Sequence, residues 1–209
     1  MKISIKVLKD TLAAKGYKWL GDRPMIIGIR TKLDVPDSFN DFLAVVYPEN
    51  GAEVLKLYPI TTDPGVYHLN KPMNVEGTFV LKPGQYIDSH EIGFHQGKPD
   101  HRALHQVGNL TGYRDNDKDN FAETAGMKEV TGTSFGVNIH GSKKDVTGAD
   151  GKVVEGKSTV VGAWSAGCQV HAVWKNKEEM MDICDKFKVL TKNRFTYTLV
   201  LEQDLVDKP

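Results

Sequence analysis

Short apolar runs alternate with turn residues along most of this chain, and their length points to strands more often than to helices. Met25-Ile26-Ile27-Gly28-Ile29-Arg30 reads as one strand. Residues 41–47 and 54–60 are β-branched and aromatic runs separated by Pro48-Glu49-Asn50-Gly51, and Asn-Gly predicts a tight hairpin turn. From Tyr67 to Tyr113, turn residues recur at Asn70-Lys71-Pro72, Glu76-Gly77, Lys82-Pro83-Gly84 and Gln96-Gly97-Lys98-Pro99. Strand-like pieces such as Thr78-Phe79-Val80-Leu81 lie between them, which predicts a mainly β sandwich or barrel. Two stretches carry a helical period instead. Residues 6–20 set Val7, Leu8, Leu12, Ala13 and Tyr17 near one face, with Gly16 interrupting the end. Residues 177–192 set Met180, Met181, Ile183, Cys184, Phe187 and Leu190 on a buried side. Residues 194–201 alternate as a closing strand. A turn-rich link at 34–40 divides an appended helix and strand, residues 1–36, from a main domain, residues 37–209.

Composition narrows the function classes. With 27 Lys+Arg against 27 Asp+Glu among 209 residues, no net charge favours nucleic acid or an anionic membrane surface as partner. No apolar run approaches the ~18 residues needed to cross a bilayer. The opening MKISIKVLKD is broken by charges throughout, so it does not read as a secretory signal, and the chain is expected in the cytoplasm as synthesised. A monomer is expected, and no cofactor is called for. Of the two cysteines, Cys184 falls in the second helical pattern and reads as a buried thiol; a disulfide with Cys168 is not expected.

The candidate chemistry centres on residues 136–171. One apolar run ends in His140-Gly141, a polar segment follows, and a second run delivers Ser165-Ala166-Gly167-Cys168. Two strands would then set an imidazole and a thiol at one edge of a sheet. A thiol with an ordinary pKa near ~8.5 is mostly protonated at neutral pH, and an adjacent imidazole can take its proton. Small Ala166 and Gly167 let a substrate carbonyl approach the backbone, where the amides of Ala166, Gly167 and Cys168 could meet an oxyanion. The same residues also fit a small buried thiol and a satisfied core histidine.

Histidines 90, 95, 101 and 105 invite a zinc reading, yet HEIGFH is not the HExxH pattern, so groove lining or packing is expected and metal is not. His105-Gln106 is expected nearest the cleft. Asp115-Asn116-Asp117-Lys118-Asp119-Asn120 opens like a calcium loop but has Asn120 at the sixth position and Gly126 at the twelfth, which leaves a solvated acidic loop. Arg114 beside it could clamp a carboxylate bidentately, or pair with Asp115 or Asp117.

His140-Gly141 followed by Ser165-Ala166-Gly167-Cys168 resembles the catalytic domain of L,D-transpeptidases, the YkuD-like family, whose signature is a histidine followed by Ser/Thr-His-Gly-Cys. The hairpin and the TTDPG segment at 61–65 agree in kind with that domain's opening, and the resemblance covers roughly residues 40–202. It implies a mainly β, YkuD-like sandwich or barrel with a few short helices, one of them after the cysteine. It implies Cys168 as nucleophile, His140 as base and the Gly141 carbonyl as the group orienting the imidazole. Ala166 and Gly167 would form the oxyanion site, with Ser165, Arg114, His105, Trp164 and Gln169 against substrate. The implied activity is acyl transfer or hydrolysis on peptidoglycan stem peptides through a Cys168 thioester, resolved by an amine or by water. The chain departs from the family in three places. Ala166 replaces the signature histidine, no arginine follows the cysteine at Gln169-Val170, and the 28-residue separation is lengthened by an insertion at 143–157. With no export signal read at the start, three routes stay open: a truncated chain, action on cytoplasmic wall fragments in recycling, or a phage-type enzyme reaching the wall by lysis or in a virion, the last being the expectation carried forward. The competing class is a non-catalytic β-domain binding a wall glycan or peptide through Trp164, Trp174, Tyr113 and the histidines. An imidazole-paired thiolate would be alkylated rapidly below pH 7; a plain thiol would not.

Overall fold

Asn50 and Gly51 both adopt left-handed backbone, with φ of 52° and 79°, as a two-residue hairpin turn requires. In the computed structural model, which describes residues 3–31 and 35–206, that turn joins β2 (Asp41–Glu49) to β3 (Ala52–Thr61) through an unbroken antiparallel ladder. β1 (Met25–Arg30) lies on the other side of β2. The chain continues through α2 (Val66–Asn70), β4 (Thr78–Leu81), β5 (Gly84–Phe94), β6 (Arg102–Gln106), β7 (Leu110–Asp115) and β8 (Lys128–Gly132). β9 (Ile139–Gly141), β10 (Val146–Thr147), β11 (Val153–Val154) and β12 (Gln169–His171) follow, then α3 (Trp174–Phe187) and β13 (Phe195–Leu201). Strand outweighs helix, 37% to 19%, so the chain is mainly β with a few short helices.

Eight strands close into a barrel in the order β1-β13-β5-β6-β9-β12-β3-β2. Its parallel contacts are β1 with β13 and β9 with β12; its other ladders are antiparallel. β4, β7 and β8 form a separate three-stranded sheet, and the insertion at 143–157 carries the small β10–β11 ladder. Strand alternation sorts the apolar residues. Ile26, Leu43, Val45, Ile139, Phe195, Tyr197 and Leu199 share one buried cluster with Met180, Met181, Ile183 and Cys184 of α3. The opposite faces of β1 and β2 present Met25, Ile27, Ile29, Ala44 and Val46 to Leu8 and Leu12 of α1 (Ile5–Ala14).

Three expectations are corrected. β1 is hydrogen-bonded on both sides within the barrel, so residues 25–30 are not an appendage, and a boundary at 36 separates no folding unit. Parts of that division, at residues 1–2, 32–34 and 207–209, lie outside the described residues, as does Asp34 of the turn-rich link. On α1, Ala13 is exposed, and Thr11 is buried in its stead, its hydroxyl donating to the Val7 carbonyl. α3 starts three residues earlier than expected, at Trp174, and stops at Phe187, so Leu190 is 54% exposed. Lys192 and Asn193, both at positive φ, turn the chain from this helix into β13. No helix among the described residues is long and apolar enough to cross a membrane.

Candidate active site

The adjacent parallel strands β9 and β12 bring the two ends of the 136–171 segment together. Val170 pairs with His140, and the Gln169 N–H donates to the Asn138 carbonyl, so Cys168 sits beside Asn138. With side chains alternating along each strand, Cys168 and His140 share a face, one pleat apart. Ile139 and Gln169 point the other way, into the barrel.

His140 is 1% exposed, and its Nδ1 lies 2.9 Å from the Gly141 carbonyl oxygen. A carbonyl can only accept, so Nδ1 carries the hydrogen and Nε2 the lone pair. That Nε2 is buried with no hydrogen-bond partner. Burial, reinforced by the His95 imidazole beside it, holds His140 well below the ordinary histidine range and keeps the ring neutral. His95 stacks on it with centroids 3.8 Å apart, and His101 meets it edge-on at 5.6 Å. Gly141 has no side chain for a packing reason: a Cβ there would come within 2.9 Å of the Trp174 indole.

The Cys168 sulfur lines an open cleft, where it accepts from the Asn138 N–H at 3.5 Å and donates to the Gly136 carbonyl at 3.3 Å. It makes no hydrogen bond to His140. Protein packed around the sulfur pushes its thiol up to about 11. Burial disfavours the charged form of both partners at once, which opposes a resting thiolate–imidazolium pair. Alkylation by iodoacetamide is expected to be slow at pH 7, where the thiolate fraction is only ~10⁻⁴, and to rise about tenfold per pH unit through pH 9. A rate that plateaus below pH 7 would overturn this electrostatic picture.

The loop before Cys168 is tied by Ser165, whose hydroxyl donates to the Cys168 carbonyl at 2.8 Å and accepts from the Gly167 N–H at 3.2 Å. Ser165 is thus fully buried and positions the loop; it does not face the cleft as a substrate contact. The Gly167 amide is likewise taken up, which removes it from the expected oxyanion pair. The amides of Ala166 and Cys168 carry no hydrogen bond among the described residues, and both residues line the cleft. Gly167 has φ of +120°, and a Cβ there would sit 2.5 Å from the Phe79 carbonyl oxygen. Gly167→Ala is expected to cost about 3 kcal/mol or more, read as a lowered urea midpoint, from combined backbone strain and overlap. A change under about 1 kcal/mol would show that the loop relaxes freely.

The cleft has a volume of about 530 Å³. Trp164, 41% exposed, and His105 line it, together with His68, His95, Met73, Phe135 and Asn138. Gln169 does not: its side chain is buried in the barrel, where its carbonyl accepts from the Tyr197 hydroxyl at 2.6 Å. Arg114 lines a second lobe, its Nη1 donating to the Gly77 carbonyl at 3.2 Å rather than pairing with Asp115 or Asp117. His90 is a core residue between Ser89 Oγ and the Val137 carbonyl, and His101 packs on Trp174. The donor atoms of Asp117, Asp119 and Glu123 converge on the exposed acidic loop; the histidines form no such group among the described residues. Asn138 was findable from the sequence as the residue two before His140, hence on its face. His95 carried no such signal. No known protein family, curated protein or solved structure matches this chain.

Proposed function

We propose that this chain is a cysteine-dependent acyl-transfer enzyme of the L,D-transpeptidase type, its barrel a form of the YkuD-like catalytic domain, acting on peptidoglycan stem peptides. The observation that carries the reading is the unprotonated, unpartnered His140 Nε2, aligned by the Gly141 carbonyl one pleat from a thiol that opens on the cleft. An unsatisfied buried acceptor costs roughly 1–3 kcal/mol, and a role as proton acceptor accounts for its presence.

Because ionising both groups in advance is unfavourable, proton transfer accompanies attack. The Cys168 side chain turns from the Gly136 carbonyl, its sulfur bonds to the substrate carbonyl carbon, and its proton passes to His140 Nε2. The carbonyl electron pair moves to oxygen, where the free amides of Ala166 and Cys168 receive it. The C–N bond then breaks, the departing amine takes the proton from His140, and a thioester remains on Cys168. An amine or water attacks that thioester, giving its proton through His140 back to the sulfur as the C–S bond breaks.

The binding-module alternative keeps Trp164 and three histidines on the cleft but loses two of its expected aromatic contacts. Trp174 is buried beneath Lys177, whose ammonium lies 3.6 Å from the ring centroid, and Tyr113 is outside the cleft walls. Mass spectrometry of tetrapeptide-bearing muropeptides incubated with the protein tests the proposal. Loss of the terminal residue or gain of a cross-link is expected; unchanged muropeptides would sink it.

A further inference from the structure

The cleft continues past Cys168 into a second lobe of about 230 Å³, lined by Asn74, Gly77, Thr78, Phe79 and Arg114. Met73, Ser134, Phe135 and Ala166 wall both lobes, so Ala166, two residues before the thiol, marks the seam. Among the described residues on the walls of the two lobes, Arg114 carries the one formal charge.

Arg114 is held without being neutralised. Its guanidinium carbon lies 5.7 Å from the Phe79 ring centre and 5.3 Å from that of Phe135, and those rings stack on each other at 4.3 Å. Nη1 donates to the Gly77 carbonyl at 3.2 Å, while Nε is buried with no partner. The neighbouring carboxylate of Glu76 is engaged by Lys128. Gly77 permits the arrangement, having φ of +113° and no room for a Cβ against the Asp115 backbone. With aromatic faces behind it, the nearby Glu76 carboxylate taken up by Lys128 and no hydrogen bond on Nη2 among the described residues, the guanidinium is a receptor for a planar anion. The lobe is smaller than an ordinary ligand pocket, so it admits one small group.

We propose that this second lobe is a terminal-carboxylate subsite: Arg114 holds the free α-carboxylate of the single residue on the far side of the scissile bond from the acyl group on Cys168. Its place beside Cys168 rests on the acyl-transfer reading; its anion selectivity does not. The protein is then an exo-acting enzyme that recognises a chain end, and peptides continuing beyond that residue are excluded.

The test measures binding apart from turnover. In Cys168→Ala protein, calorimetry compares a stem-type tetrapeptide ending in a D-alanine carboxylate with the same peptide ending in a carboxamide. The carboxylate is expected to bind at least 30-fold more tightly. Arg114→Gln is expected to bring the two within threefold without weakening the carboxamide, and Arg114→Lys to restore part of the gap. Equal binding of the two peptides, or a gap that survives Arg114→Gln, overturns the subsite. The unsubstituted protein is then assayed on the carboxylate peptide. A binding gap without turnover leaves the subsite standing and removes acyl transfer, whereas turnover without a gap does the reverse.

Discussion

Cys168→Ser is expected to abolish product formation from tetrapeptide-bearing muropeptides, lowering kcat/KM by ~10⁴-fold or more while leaving the fold intact. The size of the loss follows from the environment of the sulfur. Packing that already pushes a thiol up to about 11 would push a hydroxyl, ordinarily far less acidic, beyond the reach of His140, whose own basicity burial has reduced. Serine can keep the local contacts, donating to the Gly136 carbonyl and accepting from the Asn138 N–H, so stability should change by no more than about 1 kcal/mol. His140→Asn is the companion variant. Its amide nitrogen can take over the donation to the Gly141 carbonyl while deleting the lone pair at Nε2. A comparable loss is expected, and the double variant should lose little more than either alone, because the two groups act in one proton transfer. Retained activity in Cys168→Ser would exclude a thioester, whichever product forms.

What could be read from the sequence was local. Asn50-Gly51 specified the hairpin because I′ turns demand left-handed residues at adjacent positions, and both residues are left-handed here. The buried side of α3 followed from its period, but its end did not. Leu190 continues the apolar spacing although the chain has already left the helix, and no glycine or proline marks the stop. Barrel closure depends on Ile26 pairing with Tyr197, a contact so distant in sequence that neither strand carries a trace of it. The same division runs through the site. His140 and Cys168 could be placed near each other because each ends an apolar run. Gln169 follows Cys168 directly, and strand alternation sends the next residue to the opposite face, so its side chain lies in the barrel and not on substrate. His95 reaches His140 only through the antiparallel pairing of β5 with β6 and the turn at Gln96, a tertiary effect without local signal.

Acid should unfold this protein at a pH where most small domains remain folded. His90 and His101 are pushed down to about 4 and His171 to about 3, and His140 lies well below its ordinary range; burial is the largest cause in each. All four are buried and neutral in the folded chain. Once unfolded they recover values near ~6.5, so below that pH the unfolded state binds protons that the folded state refuses. The contribution to stability is complete above about pH 6.5 and is lost as pH falls from there towards 4 for His90 and His101, and towards 3 for His171. At pH 5 His90, His101 and His171 each cost on the order of 2 kcal/mol, together comparable with the lower end of the 5–15 kcal/mol stability of an ordinary domain, and His140 acts in the same direction. Urea unfolding at pH 7 and pH 5 should show a large fall in midpoint at unchanged slope. Equal midpoints would mean that these imidazoles accept protons in place, and with that the neutral, lone-pair-bearing His140 on which the acyl-transfer chemistry depends would be lost as well.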